Sequence, residues 1–332
     1  MRAVQIPAPG EFGLVQLPAP EPRPGEVLVE VGATGICGTD LHILGGEFPP
    51  APYPLVPGHE IAGTLVEVGD GVVSLSVGDR VAVDPSLFCG TCEYCRKQRG
   101  NLCNHWGAIG DTVDGGFAEL VRVPAANAYV MPEGMSFAAG ALVEPVSCAV
   151  HALDRLDHEL GAPALIYGAG AMGLILAQLL RHTGSGELSI VDTNERRLAR
   201  AESFGFTSVA TRYGDLAGAR SGGFERVIDA TGVTSVVQEA MGAVRKGGTL
   251  LVFGVTPAGE MAAFEPFKVY NEEITVVGSM AVLASYGRAV DLVSRGAVDA
   301  DKMVTGQYGL DEFGKALDEV RAGSGIKTQI VP

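Results

Sequence analysis

Residues 164–192 carry the pattern that most narrows what this chain can fold into. The apolar run ALIY is followed at once by glycines at 168, 170 and 173, then by the helical pattern LILAQLL and a second apolar run ending at Asp192. Strand, glycine turn, helix and strand in this order predict a βαβ unit of a parallel sheet. The spacing G-x-G-x-x-G, with an acidic residue 19 positions after the third glycine, is typical of folds that bind dinucleotides.

Each glycine of this loop has a physical reason to be there. Gly168 permits the tight turn out of the strand, Gly170 lets the backbone approach a pyrophosphate, and Gly173 lets the helix pack closely on the sheet. The first turn of the helix then offers free N–H groups and a positive dipole end to the phosphates. The alternative is a glycine-rich turn that binds nothing, and the strand, helix and acidic residue around the motif disfavour it.

The end of the second strand bears on which dinucleotide binds. Asp192 stands where a carboxylate accepts hydrogen bonds from the ribose 2′-hydroxyl, and its charge would repel a 2′-phosphate, so NAD is favoured over NADP. Arg196 and Arg197 weaken that preference, because an arginine there can accommodate the phosphate. The predicted cofactor contacts are Gly168, Gly170, Met172, Gly173, Asp192 and Arg197.

The rest of the chain divides into two kinds of pattern. Residues 1–135 alternate short β-type runs, such as VLVEVGATGI and FAELVRVP, with glycine and proline turns, which predicts a compact and mostly antiparallel β domain. From about residue 138, apolar strands alternate with helical patterns, which predicts a parallel sheet. The end of the chain holds two more helical patterns and a closing strand, KTQIV. A chain of 332 residues with these two halves is expected to form two domains.

Composition disfavours several classes of partner. Lys and Arg total 24 against 39 Asp and Glu, giving a formal net charge of −15, and so acidic a surface would repel nucleic acid and anionic lipid. The N-terminal stretch MRAVQIPAPGE has no apolar leader, and no run reaches the ~18 uninterrupted apolar residues of a membrane span. We therefore expect a cytoplasmic protein that binds neither nucleic acid nor membrane.

Four of the six cysteines fall within one short polar stretch. CGTCEYCRKQRGNLC, residues 89–103, has the spacing C-x-x-C-x-x-C-x7-C. Four thiolates at such spacings fit a closed tetrahedral zinc site with no position left for chemistry, and a reducing compartment disfavours disulfides. An iron–sulfur cluster and redox-active thiols are the alternatives. We favour a structural zinc ion that fixes this loop and is held by Cys89, Cys92, Cys95 and Cys103.

A second set of metal-binding side chains is scattered along the sequence. Cys37 lies in GICGTDLH, His59 and Glu60 lie in VPGHE, and Glu144 lies in the apolar run GALVEPVSCAVHAL. A carboxylate in such a run needs a positive partner or a solvated end. Taken singly these residues have ordinary explanations, since Cys37 could be a small core residue and His59 a turn histidine. Together they supply a thiolate, an imidazole and carboxylates, the donors of a zinc site that keeps an open position.

Several motifs, in this order, resemble those of the zinc-dependent medium-chain alcohol dehydrogenases. GHEIAG, followed by Gly69 and Val72, is similar to the zinc signature of that family, and the cysteine stretch is similar to its structural zinc loop. GAGAMG resembles its coenzyme loop, and VGDRVAV resembles the entry to one of its strands. The resemblance runs from MRAVQI to the terminal KTQIVP.

The resemblance implies an α/β fold with two domains. Residues 1–150 would form a mostly-β, GroES-like catalytic domain that contains the structural zinc lobe at 89–103. Residues 151–281 would form a Rossmann domain, a doubly wound parallel sheet that binds the coenzyme, and residues 282–332 would return to the catalytic domain. The family pattern also implies an active site in the cleft between the domains and a homodimer or homotetramer.

The same resemblance implies a set of ligands for a catalytic zinc. Cys37 and His59 match two of them. Where many simple-alcohol dehydrogenases carry a cysteine, this chain has Glu144-Pro145, which resembles the sorbitol, polyol, butanediol and threonine dehydrogenase branch. Glu60 would lie close to the metal, as a water-linked neighbour or an exchanging ligand. Zinc would then neutralise the charge of the carboxylate in the apolar run.

The family pattern further implies a proton relay. Thr39 would accept the substrate proton and pass it through the cofactor ribose to His42 and solvent, and Glu60 is a third candidate catalytic residue. His42 suits the last step, because an unperturbed imidazole titrates near pH ~6.5. Asp40 either orients His59 or caps a turn.

The activity implied is zinc-dependent hydride transfer from a polyol or other secondary alcohol to NAD, giving the ketone, with two zinc ions per chain. A carboxylate in place of a thiolate makes the metal harder and could let a vicinal diol coordinate through both oxygens. L-Threonine 3-dehydrogenase and butanediol dehydrogenase are the alternatives within the enzyme class. MAVLASYGR at 280–288 and Ile43 depart from the sorbitol dehydrogenase pattern, which disfavours sorbitol itself.

Two functions from other classes are also compatible with parts of the sequence. A non-catalytic NAD(H)-binding sensor would keep the fold, although the complete set of site residues argues against loss of chemistry. A zinc-ribbon nucleic-acid binder would explain the cysteine stretch alone, and the net charge of −15 disfavours it.

Overall fold

The computed structural model describes residues 1–216 and 222–332. These residues form two compact units. The first unit contains residues 1–147 and 282–332, and the second contains residues 148–281. Among the described residues, no helix combines the length and the apolar character needed to cross a membrane.

The first unit is mostly β-structure. Its strands are β1 (Arg2–Gln5), β2 (Gly13–Gln16), β3 (Glu26–Gly35), β4 (Glu60–Val68), β5 (Arg80–Val83), β6 (Ser86–Leu87), β7 (Gly107–Ala108), β8 (Leu120–Pro124), β9 (Ala128–Val130), β16 (Val304–Tyr308) and β17 (Lys327–Ile330). Its helices are α1 (Gly38–Gly45), α2 (Glu93–Arg96), α3 (Phe137–Ala141), α4 (Val143–Leu156), α9 (Tyr286–Ser294), α10 (Ala300–Met303) and α11 (Phe313–Ala322). The division between the units falls inside α4.

The main sheet of this unit has the strand order β16-β17-β3-β4-β5-β9, and β8 also pairs with β3. All pairs but β16–β17 are antiparallel. The alternating valines of β3 pack with Ile61, Leu65 and Val81 in a buried apolar cluster, as the period of two in VLVEV predicts. The last strand, β17, lies beside β3 and so brings the end of the chain back to the centre of the sheet.

The second unit is a parallel sheet with helices between its strands. Its strands are β10 (Ala164–Tyr167), β11 (Leu188–Val191), β12 (Ser208–Ala210), β13 (Phe224–Asp229), β14 (Val244–Val252) and β15 (Thr275–Gly278). Its helices are α5 (Ala171–His182), α6 (Glu195–Ser203), α7 (Thr234–Ala243) and α8 (Pro266–Asn271).

The strand order β12-β11-β10-β13-β14-β15, with every pair parallel, is that of a doubly wound dinucleotide-binding fold. The order reverses between β10 and β13, and this switch point is where such sheets bind ligands. The predicted fold, a mostly-β domain with a Rossmann domain inserted, is therefore confirmed. The two units divide at 147/148 and 281/282.

Candidate metal and cofactor sites

Three predicted metal ligands meet where β3 ends and β4 begins. Cys37 follows β3 and precedes the first residue of α1, while His59 directly precedes β4 and Glu60 is the first residue of that strand. The antiparallel pairing of the two strands sets Gly35 opposite Glu60, so that the three side chains converge from adjacent segments. One donor atom from each of Cys37, His59 and Glu60 lies within 4.8 Å of the other two.

The imidazole of His59 is held from behind by a carboxylate that sequence reasoning did not identify. Its Nδ1 lies 3.0 Å from Asp111 Oδ1 and 4.0 Å from Asp40 Oδ1, and all three side chains are buried. Burial alone would lower the pKa of His59, but the Asp111 carboxylate and the Cys37 thiol together outweigh it and raise that pKa well above its ordinary value. Because Nδ1 faces Asp111, Nε2 is the nitrogen left to bind a metal.

The carboxylate of Asp40 is bonded to backbone N–H groups rather than to the imidazole of His59. Its Oδ2 accepts a hydrogen bond from the backbone N–H of Cys37 at 2.8 Å, and its Oδ1 accepts one from Gly58 at 3.2 Å. The first of these bonds caps the N-terminus of α1. Burial raises the pKa of Asp40 to about 6. Of the two roles expected for Asp40, the structure favours capping, and Asp111 is the closer neighbour of His59.

Glu60 is paired with a second residue that the sequence did not single out. Lys327, the first residue of β17, donates from Nζ to Glu60 Oε1 and also to the carbonyl oxygen of Ile36, the latter at 3.0 Å. Lys327 and Glu60 are 5% and 1% exposed. The other oxygen of the carboxylate, Oε2, is buried and has no hydrogen-bond partner among the residues that the structure describes.

Glu144 lies in the first turn of α4 and is also buried, with 8% of its surface exposed. It is not a member of the three-residue group formed by Cys37, His59 and Glu60. Its charge nevertheless acts on the same region, because it is one of the anionic groups that raise the pKa of Lys327. The apolar run that contains Glu144 is thus part of a helix, and the carboxylate near the start of that helix interacts electrostatically with the buried Lys327.

The donor set of this group fits a zinc ion. A thiolate, an imidazole and a carboxylate are all zinc ligands, and three protein ligands leave a position for water or substrate. Among the described residues, the buried Glu60 Oε2 has no hydrogen-bond partner. Because leaving a buried acceptor unpaired is costly in free energy, a bound cation or a donor is expected to interact with this oxygen. Zinc bound here would act as a Lewis acid that lowers the pKa of a coordinated hydroxyl.

The two residues of the expected proton relay lie on α1. Thr39 is half-buried, and its hydroxyl oxygen lies 3.8 Å from Cys37 Sγ, which puts it beside the metal group. His42 is exposed, and its Nδ1 lies 2.8 Å from Glu47 Oε2. One residue thus lies beside the metal group and the other at the solvent side of the same helix.

The four cysteines of the polar stretch form a closed cage. Their sulfur–sulfur distances are 3.5 Å for Cys92–Cys95 and Cys89–Cys103, 3.9 Å for Cys92–Cys103 and 4.0 Å for Cys89–Cys95. A tetrahedron with ~2.3 Å Zn–S bonds has sulfur–sulfur edges of about 3.8 Å, so the cage has the size of a single zinc site.

Backbone N–H groups are aimed at the sulfurs of this cage. Cys92 N–H donates to Cys89 Sγ at 3.3 Å, and the N–H groups of Cys89 and His105 donate to Cys103 Sγ at 3.4 and 3.2 Å. The hydroxyl and the backbone N–H of Thr91, together with the N–H of Cys92, lower the pKa of Cys89 to about 5. N–H donors favour thiolates, which are the metal-binding form of cysteine.

A cavity of about 830 Å³ lies in the second unit at the switch point of the sheet. Five of the six predicted cofactor contacts line it, namely Gly168, Gly170, Met172, Asp192 and Arg197. The sixth, Gly173, packs behind the loop, where a Cβ would collide with the carbonyl oxygen of Gly168.

The glycines of the loop fit the physical roles assigned to them. Gly168 has a φ of +105°, which strongly favours glycine. A Cβ on Gly170 would meet no atom within 4 Å, so the backbone there is open to the cavity. Gly170 also precedes the first residue of α5, whose free N–H groups begin at the same point. A pyrophosphate fits this arrangement.

Asp192 is fixed at the edge of the cavity by the backbone. Its Oδ2 accepts from Ala169 N–H and its Oδ1 from Asn194 N–H, both at 2.8 Å. Arg197 lies on the solvent side, with Nη1 at 3.6 Å from Oδ2. Arg212, which sequence reasoning missed, also lines the cavity and is exposed. This part of the cavity wall therefore carries one carboxylate and two arginines.

Both halves of the chain match families of known proteins. Residues 23–133 match the family described as alcohol dehydrogenase GroES-like domain, and residues 171–295 match the family described as zinc-binding dehydrogenase. The chain belongs to the zinc-binding alcohol dehydrogenases. It is an oxidoreductase of that family, with zinc and a nicotinamide dinucleotide as its cofactors, which confirms the predicted family, fold and reaction class.

Curated relatives cover the whole length of the chain. D-Arabinitol dehydrogenase 1 of Uromyces fabae is 36% identical over 100% of this chain and 97% of its own length. D-Arabitol-phosphate dehydrogenase of Enterococcus avium is 33% identical over 99% and 97%. L-Threonine 3-dehydrogenase of Shewanella woodyi is 32% identical over 96% of each chain.

Solved structures of two dehydrogenases share the fold. A zinc-binding dehydrogenase of Sinorhizobium meliloti 1021, bound to NADP, superposes with a TM-score of 0.95 at 35% identity and covers 100% and 99% of the two chains. An alcohol dehydrogenase of Escherichia coli CFT073, complexed with NADH, gives a TM-score of 0.94 at 27% identity with the same coverage. The two structures hold different dinucleotides.

Asp111 and Lys327 carried little signal in the sequence. Asp111 lies in GAIGDTVDG and reads as one of several acidic turn residues, while the lysine of KTQIV reads as the polar start of a strand. In the structure, every residue of β17 is buried, including Lys327. A lysine at the start of a fully buried strand needs a partner of opposite charge, and that requirement could have pointed to Lys327.

Proposed function

We propose that this enzyme oxidises a secondary hydroxyl of a polyol with NAD. The observation that carries the proposal is the group of Cys37, His59 and Glu60, with Glu144 buried nearby. This group offers the metal only one sulfur ligand, Cys37. A second thiolate in place of a carboxylate would make the ligand set softer. A harder site with an open position favours oxygen ligands, and a vicinal diol can supply two of them. The arabinitol dehydrogenase among the relatives supports the same substrate class.

The residues around the metal group have separate roles in this proposal. The proposed zinc ligands or exchanging ligands are Cys37, His59, Glu60 and Glu144. Asp111 holds the imidazole of His59 through its contact with Nδ1. Thr39 accepts the substrate proton, and His42 releases it to solvent. Bound zinc would supply Lewis acidity and the bound nicotinamide would supply the hydride acceptor, while the protein orients the carbinol carbon and excludes water.

NAD is the proposed cofactor, with Asp192 reading the ribose. Each of its oxygens accepts one backbone N–H and has a further lone pair for a ribose hydroxyl. Arg197 and Arg212 would serve a 2′-phosphate instead, and the NADP-bound relative keeps that alternative open. Initial rates with NAD and NADP at matched concentrations decide this, and a preference for NADP of tenfold or more would contradict the proposal.

A substrate panel tests the polyol assignment. We expect NAD reduction to be fastest with five- or six-carbon polyols in a panel of arabinitol, arabinitol phosphate, xylitol, sorbitol, 2,3-butanediol, L-threonine and simple secondary alcohols. Glu144→Cys should lower kcat/KM for vicinal diols by about 10- to 100-fold, because a second thiolate softens the metal and crowds the open position. Simple alcohols should lose less.

Three outcomes of this panel would contradict the proposal. Activity confined to simple alcohols and indifferent to Glu144→Cys would mean that the carboxylate says little about substrate. A clear preference for L-threonine would support the second candidate function, L-threonine 3-dehydrogenase, which the relative of that name favours. A protein that holds zinc and NADH without turning over any member of the panel would instead be a sensor.

We further propose that the enzyme acts in the cytoplasm as a homodimer or homotetramer. The outer strand of the parallel sheet, β15, has one unpaired edge, and Val276 on it is 44% exposed. On α8, Phe267 and Tyr270 are 63% and 80% exposed. An apolar edge strand of this kind is a site of strand pairing between chains unless something covers it.

A further inference from the structure

Lys327 and Glu60 form an ion pair in a part of the protein that offers them little water. Both side chains are at least nine-tenths buried, and Nζ of the lysine has only Glu60 Oε1 and the carbonyl oxygen of Ile36 as its hydrogen-bond acceptors among the described residues. Burying a lysine and a carboxylate is costly even when they are paired. The pair therefore calls for a reason beyond stability.

The two oxygens of Glu60 are treated differently. Oε1 accepts from Lys327, while Oε2 is buried without a hydrogen-bond partner. The space for Oε2 exists because residue 35 is glycine, since a Cβ there would collide with this oxygen. Lys327 thus holds one oxygen of the carboxylate, and the lack of a side chain at Gly35 leaves room for the other oxygen.

The lysine is held in place by its contacts. Its Nζ donates to Glu60 Oε1 and to the carbonyl oxygen of Ile36, and both Lys327 and Glu60 are buried. Lys327 is therefore a basic side chain held against one of the proposed zinc ligands. A positive charge at this position lowers the affinity of the site for zinc. The orientation of Glu60 is a role that compensates for this loss.

We propose that Lys327 is a positioning residue that holds Glu60 by Oε1, so that this carboxylate can offer the zinc only Oε2. The proposal rests on the zinc site proposed above. With both oxygens free, Glu60 could bind the metal through two bonds and fill the position that the substrate hydroxyl needs. Lys327 thus keeps the site open, and it does so from the last strand of the chain.

The experiment compares Lys327→Met with the matched control Lys302→Met, an exposed lysine of the same unit. Zinc is counted per chain by mass spectrometry, and its release to a chelator is followed over time. We expect Lys327→Met to release one of its two zinc ions about tenfold more slowly, because a nearby positive charge is lost and Glu60 gains a second bond. Lys302→Met should release zinc at the wild-type rate.

A second readout follows coordination directly. With cobalt in place of zinc, Lys327→Met should weaken the visible d–d bands, as expected when a four-coordinate site gains a ligand. Lys327→Gln, which keeps a donor and loses the charge, should lie between wild type and Lys327→Met, and it decides the question if the methionine variant does not fold. KM for the alcohol should rise in both variants, while the Kd for NADH stays unchanged.

The double variant Lys327→Met/Glu60→Gln separates this role from a structural one. If Lys327 acts through Glu60, the double variant should release zinc at least as fast as wild type. Unchanged or faster release in Lys327→Met, or slow release that Glu60→Gln does not reverse, would overturn the inference. A wild-type protein that binds only the zinc of the four-cysteine cage would overturn the proposed catalytic site itself, which is a different result.

Discussion

At the scale of single residues, the site depends on carboxylates that are held by backbone or by charge. Asp40 accepts two N–H bonds, Asp192 accepts two more, and Glu60 is fixed by Lys327. Asp111 differs, because its neighbour is the imidazole of His59. Each of these anions is buried at a cost, and each has a donor or cation that offsets it. The identity of that partner decides what the residue can do.

Asp111→Asn tests the role of the carboxylate behind His59. An amide can present its NH₂ group to Nδ1, which would favour the tautomer that protonates Nε2, the nitrogen left for the metal. We expect zinc affinity and kcat/KM to fall by about 10- to 100-fold, the usual effect of changing a group that orients a metal ligand. Zinc titration followed by competition with a chelator measures the first of these quantities.

Asp301→Asn is the matched control, since Asp301 is an exposed residue of α10 in the same unit. Equal zinc affinity in Asp111→Asn and Asp301→Asn would mean that the 3.0 Å contact does not orient His59.

At the scale of elements, the turn from β10 to α5 shows how one loop serves both folding and binding. Gly173 is required for packing, because its Cβ would collide with the backbone of Gly168. Gly170 has ordinary extended backbone angles, φ −74° and ψ −173°, and space around it. Nothing in the folded protein therefore demands glycine at 170, and the requirement comes from what enters the cavity.

Alanine at these two positions should separate the two roles. Gly173→Ala should destabilise the protein by about 1–3 kcal/mol, because overpacking forces the helix away from the loop. Gly170→Ala should unfold at nearly the wild-type temperature yet weaken NADH binding by about tenfold or more, because the methyl group occupies the space of the phosphates. Thermal unfolding and NADH fluorescence titration measure the two effects, and equal NADH affinity in Gly170→Ala would argue against a pyrophosphate at this turn.

At the scale of the whole molecule, residues far apart in sequence build the proposed catalytic metal site. Cys37 follows β3 and the His59–Glu60 pair lies at the start of β4, while Asp111 comes from a later turn and Lys327 from β17. All of them lie in the first unit. The terminal strand therefore does more than complete the sheet. Without β17, Glu60 would lose the cation that holds it.

The proposed assembly is tested on the exposed edge of β15. We expect Val276→Lys to lower the molar mass measured by light scattering, because a charge on an edge strand opposes pairing with a second chain. Val255→Lys is a matched control, since Val255 is 84% exposed and lies outside the strand. A wild-type protein that is a monomer, or an unchanged mass in Val276→Lys, would exclude this edge as the interface.

The sequence by itself determined the features that depend on spacing along the chain. The glycine loop, the strand that ends at Asp192 and the four-cysteine cage each lie within about thirty residues, so local geometry dictates where their side chains point. The order of apolar runs also fixed the fold class. Cys37, His59 and Glu60 could be predicted as a set because they belong to motifs of a known family.

Only the tertiary structure decided which partners these residues have. Lys327 and Glu60 are 267 positions apart, and Asp111 meets His59 from a turn 52 positions away (111 − 59). No pattern along the chain records such contacts, because they arise from the pairing of strands and the closure of loops. The sequence favoured Glu144 as the third ligand, with Glu60 as a water-linked neighbour or exchanging ligand. The register of β3 on β4 is what brings Glu60 into the group with Cys37 and His59.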